Sequence, residues 1–101
     1  MGISLTFAHI MALIFEWDTN KAQINLIKHR VSFEEASSLF VDDNSITIND
    51  PMHSLYEKRY ITLGRSFEKR LLVVIHTDRG DKIRIISARL ASGKEKKQYP
   101  F

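Results

Sequence analysis

The sequence predicts one α+β domain, and three observations carry that prediction. Two stretches with helical apolar spacing and capping signals come early, at about residues 18–29 and 32–40. Four runs rich in β-branched and aromatic residues follow, at 45–49, 59–63, 71–77 and 82–88. Between the last two runs stands Asp78-Arg79-Gly80-Asp81, a tight-turn sequence that makes them a hairpin. A chain of 101 residues makes one core of this kind and not two.

The elements follow in order. Residues 13–17 form a short apolar strand. Asp18 stands where a helix N-cap belongs, and Ile24, Leu26 and Ile27 supply a stripe for the helix to bury. Ser32 and Glu35 have capping-box spacing, opening a second helix with Phe33, Ala36, Leu39 and Phe40 on one face. Asp42-Asp43-Asn44 ends it. After the four strands, Ser92 and Glu95 repeat the capping-box spacing and begin a short helix that Pro100 stops. The expected order is β-α-α-β-β-β-β-α, a mostly antiparallel sheet with two N-terminal helices and a C-terminal helix. All three are expected on one sheet face, leaving the other partly open.

Residues 1–11 read as a disordered extension, with Met11 a second plausible start, and residues 12–101 as the domain. The opening MGISLTFAHIMALIF has no basic n-region and no clear small-residue cleavage site, which argues against a secretory peptide. No apolar run reaches the ~20 residues of a membrane span. The chain has no cysteine, which removes disulfides, zinc–thiolate sites and a thiol nucleophile. That suits a reducing cytosol, and a cytoplasmic location is expected.

Charge is unevenly spread. Residues 1–50 hold three bases and seven acids, residues 51–101 twelve bases and five acids. A basic second half suggests a polyanion, most commonly nucleic acid, although a well-mixed solvated surface is an equal reading. HExxH and phosphate-cradling glycine loops are absent and the histidines lack metal-site spacing, so no metal and no cofactor are expected.

The arginines are the unusual feature. Arg84 and Arg89 interrupt an isoleucine-rich strand, and Arg59 and Arg79 lie on or beside the sheet. Guanidinium suits phosphate because its planar fork donates paired hydrogen bonds and stays charged. Taken singly, each is more often a surface ion pair. In a regular strand Arg84 and Arg89 point to opposite faces, so they share one only if a bulge intervenes. Arg84 has a competing structural role, tying the sheet to the first helix through Asp18 or Glu16. Glu57 and Arg59 project to the same side of an extended chain.

Four ordered blocks then resemble a known family: FEWDTNKAQINLIKH at 15–29, VSFEEA at 31–36, the segment from Asp50-Pro51 to Glu57-x-Arg59, and RIISARLASGKEKKQY at 84–99. Together they resemble the BrnT family of bacterial toxins, over about residues 12–99. The resemblance implies a RelE/ParE-like toxin fold and a ribosome-independent endoribonuclease that inhibits translation. It also implies neutralisation by a BrnA-like antitoxin, with promoter DNA bound only as the toxin–antitoxin complex. Carried over by position, the family's polar residues are Lys21, Asn25, Lys28, His29, Glu57, Arg59, Arg84, Ser87, Arg89, Glu95 and Tyr99. The family usually has Lys-His-Gly where this chain has Lys28-His29-Arg30, so Arg30 must adopt a left-handed conformation or end the helix differently.

Metal-free RNA cleavage uses the neighbouring 2′-hydroxyl as nucleophile. Arg59, Arg84 and Arg89 are the candidates for phosphate and transition-state charge, and Glu57 or His29 for proton transfer. Lys21, Lys28, Arg79 and Ser87 are candidate RNA contacts, with Tyr99 a candidate base-stacker. The competing reading is a non-catalytic basic module that docks a protein or nucleic-acid partner.

Overall fold

Local capping chemistry fixes the helices of the computed structural model, which describes residues 13–52 and 57–100. The extension expected at 1–11, and His9 and His53, lie outside the described residues. Strand β1 (Ile14–Glu16) leads to Asp18, whose carboxylate accepts the Lys21 N–H at 2.9 Å and starts helix α1 (Thr19–His29). Helix α1 closes on Arg30, which takes the left-handed conformation at φ 57° and donates its N–H to the Leu26 carbonyl. Ser32 caps α2 (Phe33–Ser38) by accepting the Glu35 N–H at 3.0 Å. Only half of the expected capping box forms there, because Glu35 turns inward to Arg70 and Ser66. A 3₁₀ turn, Leu39–Val41, precedes β2 (Ile46–Asn49), β3 (Arg59–Arg65), β4 (Leu71–Arg79) and β5 (Lys82–Leu90). The short helix α3 (Gly93–Lys96) has the full box, Ser92 and Glu95 each bonding the other's backbone N–H.

The five strands form one sheet in the order β1-β5-β4-β3-β2. All neighbours are antiparallel except β1, which lies parallel to β5 with Glu16 opposite Arg84. Gly80, at φ 63°, turns β4 into β5, and the pairing of Arg79 with Lys82 leaves a two-residue loop.

Opposed residues share a sheet face, so register divides the core in two. On one face Leu72, Val74, Ile85 and Ala88 meet Val31, Phe33, Ala36 and Leu39 from the early helical region. Burying Phe33 or Leu39 is worth about 1.5–3 kcal/mol each. On the other face Leu63, Leu71 and Val73 meet Ala91 and Tyr99. The C-terminal segment therefore does not join the two early helices on one face, as the element order suggested; its Tyr99 packs on the opposite one.

A second correction concerns α1. The stripe expected to face the core is turned outward, leaving Ile24 62% and Ile27 82% exposed, while Asn25 is buried. The reason lies in the sheet edge. Strand β1 pairs only as far as Arg84, so the next part of β5 needs hydrogen-bond partners that no strand supplies. Asn25 supplies them. Its Nδ2 donates to the Ala88 carbonyl at 2.8 Å and its Oδ1 accepts the Ala88 N–H at 3.1 Å. The same Nδ2 donates to the Val31 carbonyl at 3.0 Å, joining the helix exit to the strand.

Candidate nucleic-acid interface

The site rests on one irregularity in β5. Ile75 faces Ser87 and His76 faces Ile85, so Ile86 is an extra residue, a β-bulge. The bulge reverses the alternation of everything after it. Arg84 lies opposite Thr77 and Arg89 opposite Val73, two residues on the same side of β4. Arg84, Ser87 and Arg89 thus share a face, which regular alternation forbids.

Across this face one row reads Arg59, Thr77, Arg84, Glu16 on four adjacent strands. Arg59 and Arg84 stand two strand spacings apart, about 10 Å between backbones. Arg79 and Lys82 form the next row outward, beside the turn. Thr77 is buried between the arginines and donates its hydroxyl to the Lys58 carbonyl at 2.6 Å. Arg89 lies four β4 residues further along, roughly 13 Å away.

Each of these arginines has a carboxylate partner. Glu57 takes Arg59 Nε at 3.3 Å and Arg79 Nη2 at 3.4 Å through its two oxygens. Glu16 takes Arg84 Nη1 at 2.8 Å, with Lys82 Nζ at 4.0 Å. Glu95 holds Arg89 in a two-pronged pair at 2.7 and 2.8 Å. That fork holds the Glu95 carboxyl well down, to about 2, and raises Arg89. Of the two tethers considered for Arg84, Glu16 is the hydrogen-bonded one. All these pairs are partly exposed, so their geometry resembles a loosely held lattice of charge rather than a buried network.

A second basic region lies over the β5 edge. Lys21, Lys28 and His29 of α1 line a shallow groove with Ile24, Asn25, Ile86 and Ser87. Ser87 connects the two regions, since it also faces the side of Arg84 and Arg89. His29 therefore stands with the helix lysines, and Glu57 with Arg59 and Arg79. These two proton-transfer candidates are in different neighbourhoods.

Tyr99 is placed otherwise than expected. It is only 8% exposed, its hydroxyl donates to Asp42 at 2.6 Å, and the Arg65 guanidinium lies 5.2 Å from its ring centre. Burial and the Asp42 carboxylate raise its pKa. The ring is therefore mostly covered and its hydroxyl engaged, in contrast to the exposed platform that base stacking requires. Thr77 and Lys82 are participants that residue-level reading missed. Strand alternation was the available signal, since Lys82 and Arg84 are two apart and Thr77 lies in the facing strand. No group of three histidine, aspartate or glutamate side chains converges as a metal site among the described residues.

The sequence profile of a family described as "Ribonuclease toxin, BrnT, of type II toxin-antitoxin system" matches residues 17–95. The chain belongs to the BrnT family. Its fold is similar to the crystal structure of the Brucella abortus ribonuclease toxin BrnT, with a TM-score of 0.63 at 22% identity, over 79% of this chain and 97% of that one. No curated protein matches. As a BrnT-family toxin of a type II system, the chain implies an antitoxin partner and an RNA substrate. No helix among the described residues is long and apolar enough to cross a membrane.

Proposed function

We propose that this BrnT-family chain is a metal-independent endoribonuclease, acting without the ribosome, whose RNA cleavage inhibits translation in the cytoplasm until the antitoxin neutralises it. The single observation that carries this reading is the Ile86 bulge, which gathers Arg84, Ser87 and Arg89 onto the sheet face opposite the early helices, which already bears Arg59 and Arg79. A face of this kind suits a phosphodiester backbone better than a neutral ligand, because its guanidinium groups supply fixed donors where anionic charge develops.

In this reading the scissile phosphate sits between Arg59 and Arg84, over Thr77. Glu57, paired with Arg59 in the free protein and released from it as the phosphate enters, accepts the proton of the adjacent 2′-hydroxyl. The freed oxygen attacks phosphorus, the bond to the 5′-oxygen breaks, and a 2′,3′-cyclic phosphate results. The departing 5′-oxygen takes a proton from water. Phosphate entry loosens Arg84 from Glu16 and Arg59 from Glu57, exchanging one anionic partner for another. Lys21, Lys28, His29 and Ser87 hold the strand as it passes over the β5 edge, Arg79 flanks it at the turn, and Arg89 meets a further phosphate. Promoter DNA is bound only by the toxin–antitoxin complex in this scheme.

The test is cleavage of RNA by purified protein in EDTA without ribosomes. Wild type is expected to cleave, whereas Arg84→Ala and Arg59→Ala lose at least about a hundredfold in rate, the usual scale for one transition-state donor. Matched thermal unfolding separates lost chemistry from lost fold. Intact RNA after incubation with folded wild type would overturn the enzymatic reading and favour a module that acts by binding alone.

A further inference from the structure

We propose that the groove at the opposite end of the sheet, where β4 begins and β5 finishes, is the docking site for an acidic, apolar-anchored segment of the antitoxin. The inference rests on the toxin reading above and names the surface its partner uses. The groove has a volume of about 530 Å³, with Leu71, Leu90 and Ala91 in its lining and Arg65, Lys69 and Lys96 among its cations. Leu71 lies six β4 residues from Thr77, roughly 20 Å from the arginine row, so a partner bound here leaves that row open unless it is long.

Three observations favour a protein segment over RNA as the occupant. The floor is aliphatic, from Leu71, Leu90 and Ala91, beneath the cations Arg65, Lys69, Arg70 and Lys96, and the tyrosine within it is spent: its hydroxyl is on Asp42 and Arg65 lies over its ring. Single-stranded RNA is held by cations on its phosphates together with open aromatic faces for its bases, and this lining presents the cations without an open aromatic face. Second, large apolar side chains are left in solvent around it: Leu90 is 47% exposed at the groove, and Phe67 is 67% exposed in the adjoining hollow that shares Arg65. Exposed apolar residues rimmed by charge are the composition of a protein interface. Third, the charge has a sign. Lys69 and Lys96 are both exposed, and Arg65 adds its charge to theirs, its Nη1 bonded to the Lys69 carbonyl at 3.2 Å. Carboxylates complement such a rim, and complementarity fixes both encounter and register.

The test pairs two titrations on the same preparations. The cognate antitoxin is titrated against wild type, the double variant Lys69→Glu/Lys96→Glu, and Leu90→Ser, while RNA cleavage is followed in parallel. A short peptide alternating glutamate and leucine serves as a competitor. Antitoxin affinity is expected to fall at least about tenfold in the double variant and in Leu90→Ser, with the cleavage rate unchanged and the peptide competing only with wild type. Unchanged antitoxin affinity in both variants overturns the proposal. So does a fall in cleavage with antitoxin binding kept, which would assign the groove to RNA. If the double variant melts early, Lys69→Glu alone decides, since Lys69 lies outside the short helix. A wild type that leaves RNA intact would sink the ribonuclease reading, yet the antitoxin titration would still give its own answer.

Discussion

Asn25 is a helix residue that does a strand's work. Its carboxamide satisfies the N–H and carbonyl of Ala88 and the carbonyl of Val31, all in a buried setting. Asn25→Ala leaves those groups without partners, and we expect a loss on the order of 2–4 kcal/mol by chemical denaturation, larger than deletion of any exposed isoleucine of α1. His76 is the second residue whose chemistry is decided by its setting. Its Nε2 meets Thr62 Oγ1 at 2.7 Å, its ring is flanked by Phe40 and Tyr60, and Nδ1 has no hydrogen-bond partner among the described residues. Burial lowers its pKa to about 4. The unfolded histidine, titrating near 6.5, takes up a proton that the folded one refuses, so stability falls as pH drops from about 6.5 toward 4 and is fully present above that window. The expected loss is on the order of 2–3 kcal/mol, and His76→Phe should flatten the stability profile across those pH values.

At the scale of elements, Arg30 shows how a departure from the family pattern is absorbed. It accepts the left-handed conformation, and its carbonyl takes a hydrogen bond from Arg70 at 3.0 Å, while Arg70 also grips Glu35. The helix exit is thus held from outside. Arg30→Gly relieves the steric cost, and a gain of about 0.5–1 kcal/mol in thermal or denaturant unfolding is expected. The helix starts, the four later strands and the hairpin turn were legible because each is written locally, in a cap, an alternation or a Gly-containing turn, whereas the helix ends were not: the second gives way to a 3₁₀ turn after Ser38 and the last stops at Lys96, short of Pro100. Two features were not. The outward roll of α1 follows from a deficit of partners on β5, some sixty residues away, which no window over α1 contains. The Ile86 bulge has no local signature either, since Ile85 and Ile86 are interchangeable to any apolar pattern; only pairing with Ile75 and His76 reveals it. The candidate arginines could be named from sequence, but whether they stood together could not.

For the whole molecule, the division of charge along the chain becomes a division in space that the sheet largely evens out. The acids of the first half are drawn to the bases of the second: Glu16 to Arg84, Glu35 to Arg70, and Asp42 to the backbone of Arg65. On the arginine-bearing face Arg59, Arg79, Lys82, Arg84 and Arg89 still outnumber Glu16, Glu57 and Glu95, and Lys21 and Lys28 add to them at the α1 edge, so RNA affinity there should fall with salt. Lys21→Ala and Lys28→Ala are each expected to reduce the slope of log affinity against log salt by about 0.7, the value for one phosphate contact on a single strand, without abolishing cleavage. A slope identical to wild type in both variants would remove α1 from the interface. The parallel pairing of β1 with β5 has a different kind of consequence. Glu16 and its partner Arg84 are 68 residues apart in the chain. At roughly 5–20 residues per second of synthesis, that is about 3 to 14 seconds between the making of one and the making of the other. A nascent chain cannot finish its sheet, or bring its arginines into register, until almost all of it has been translated.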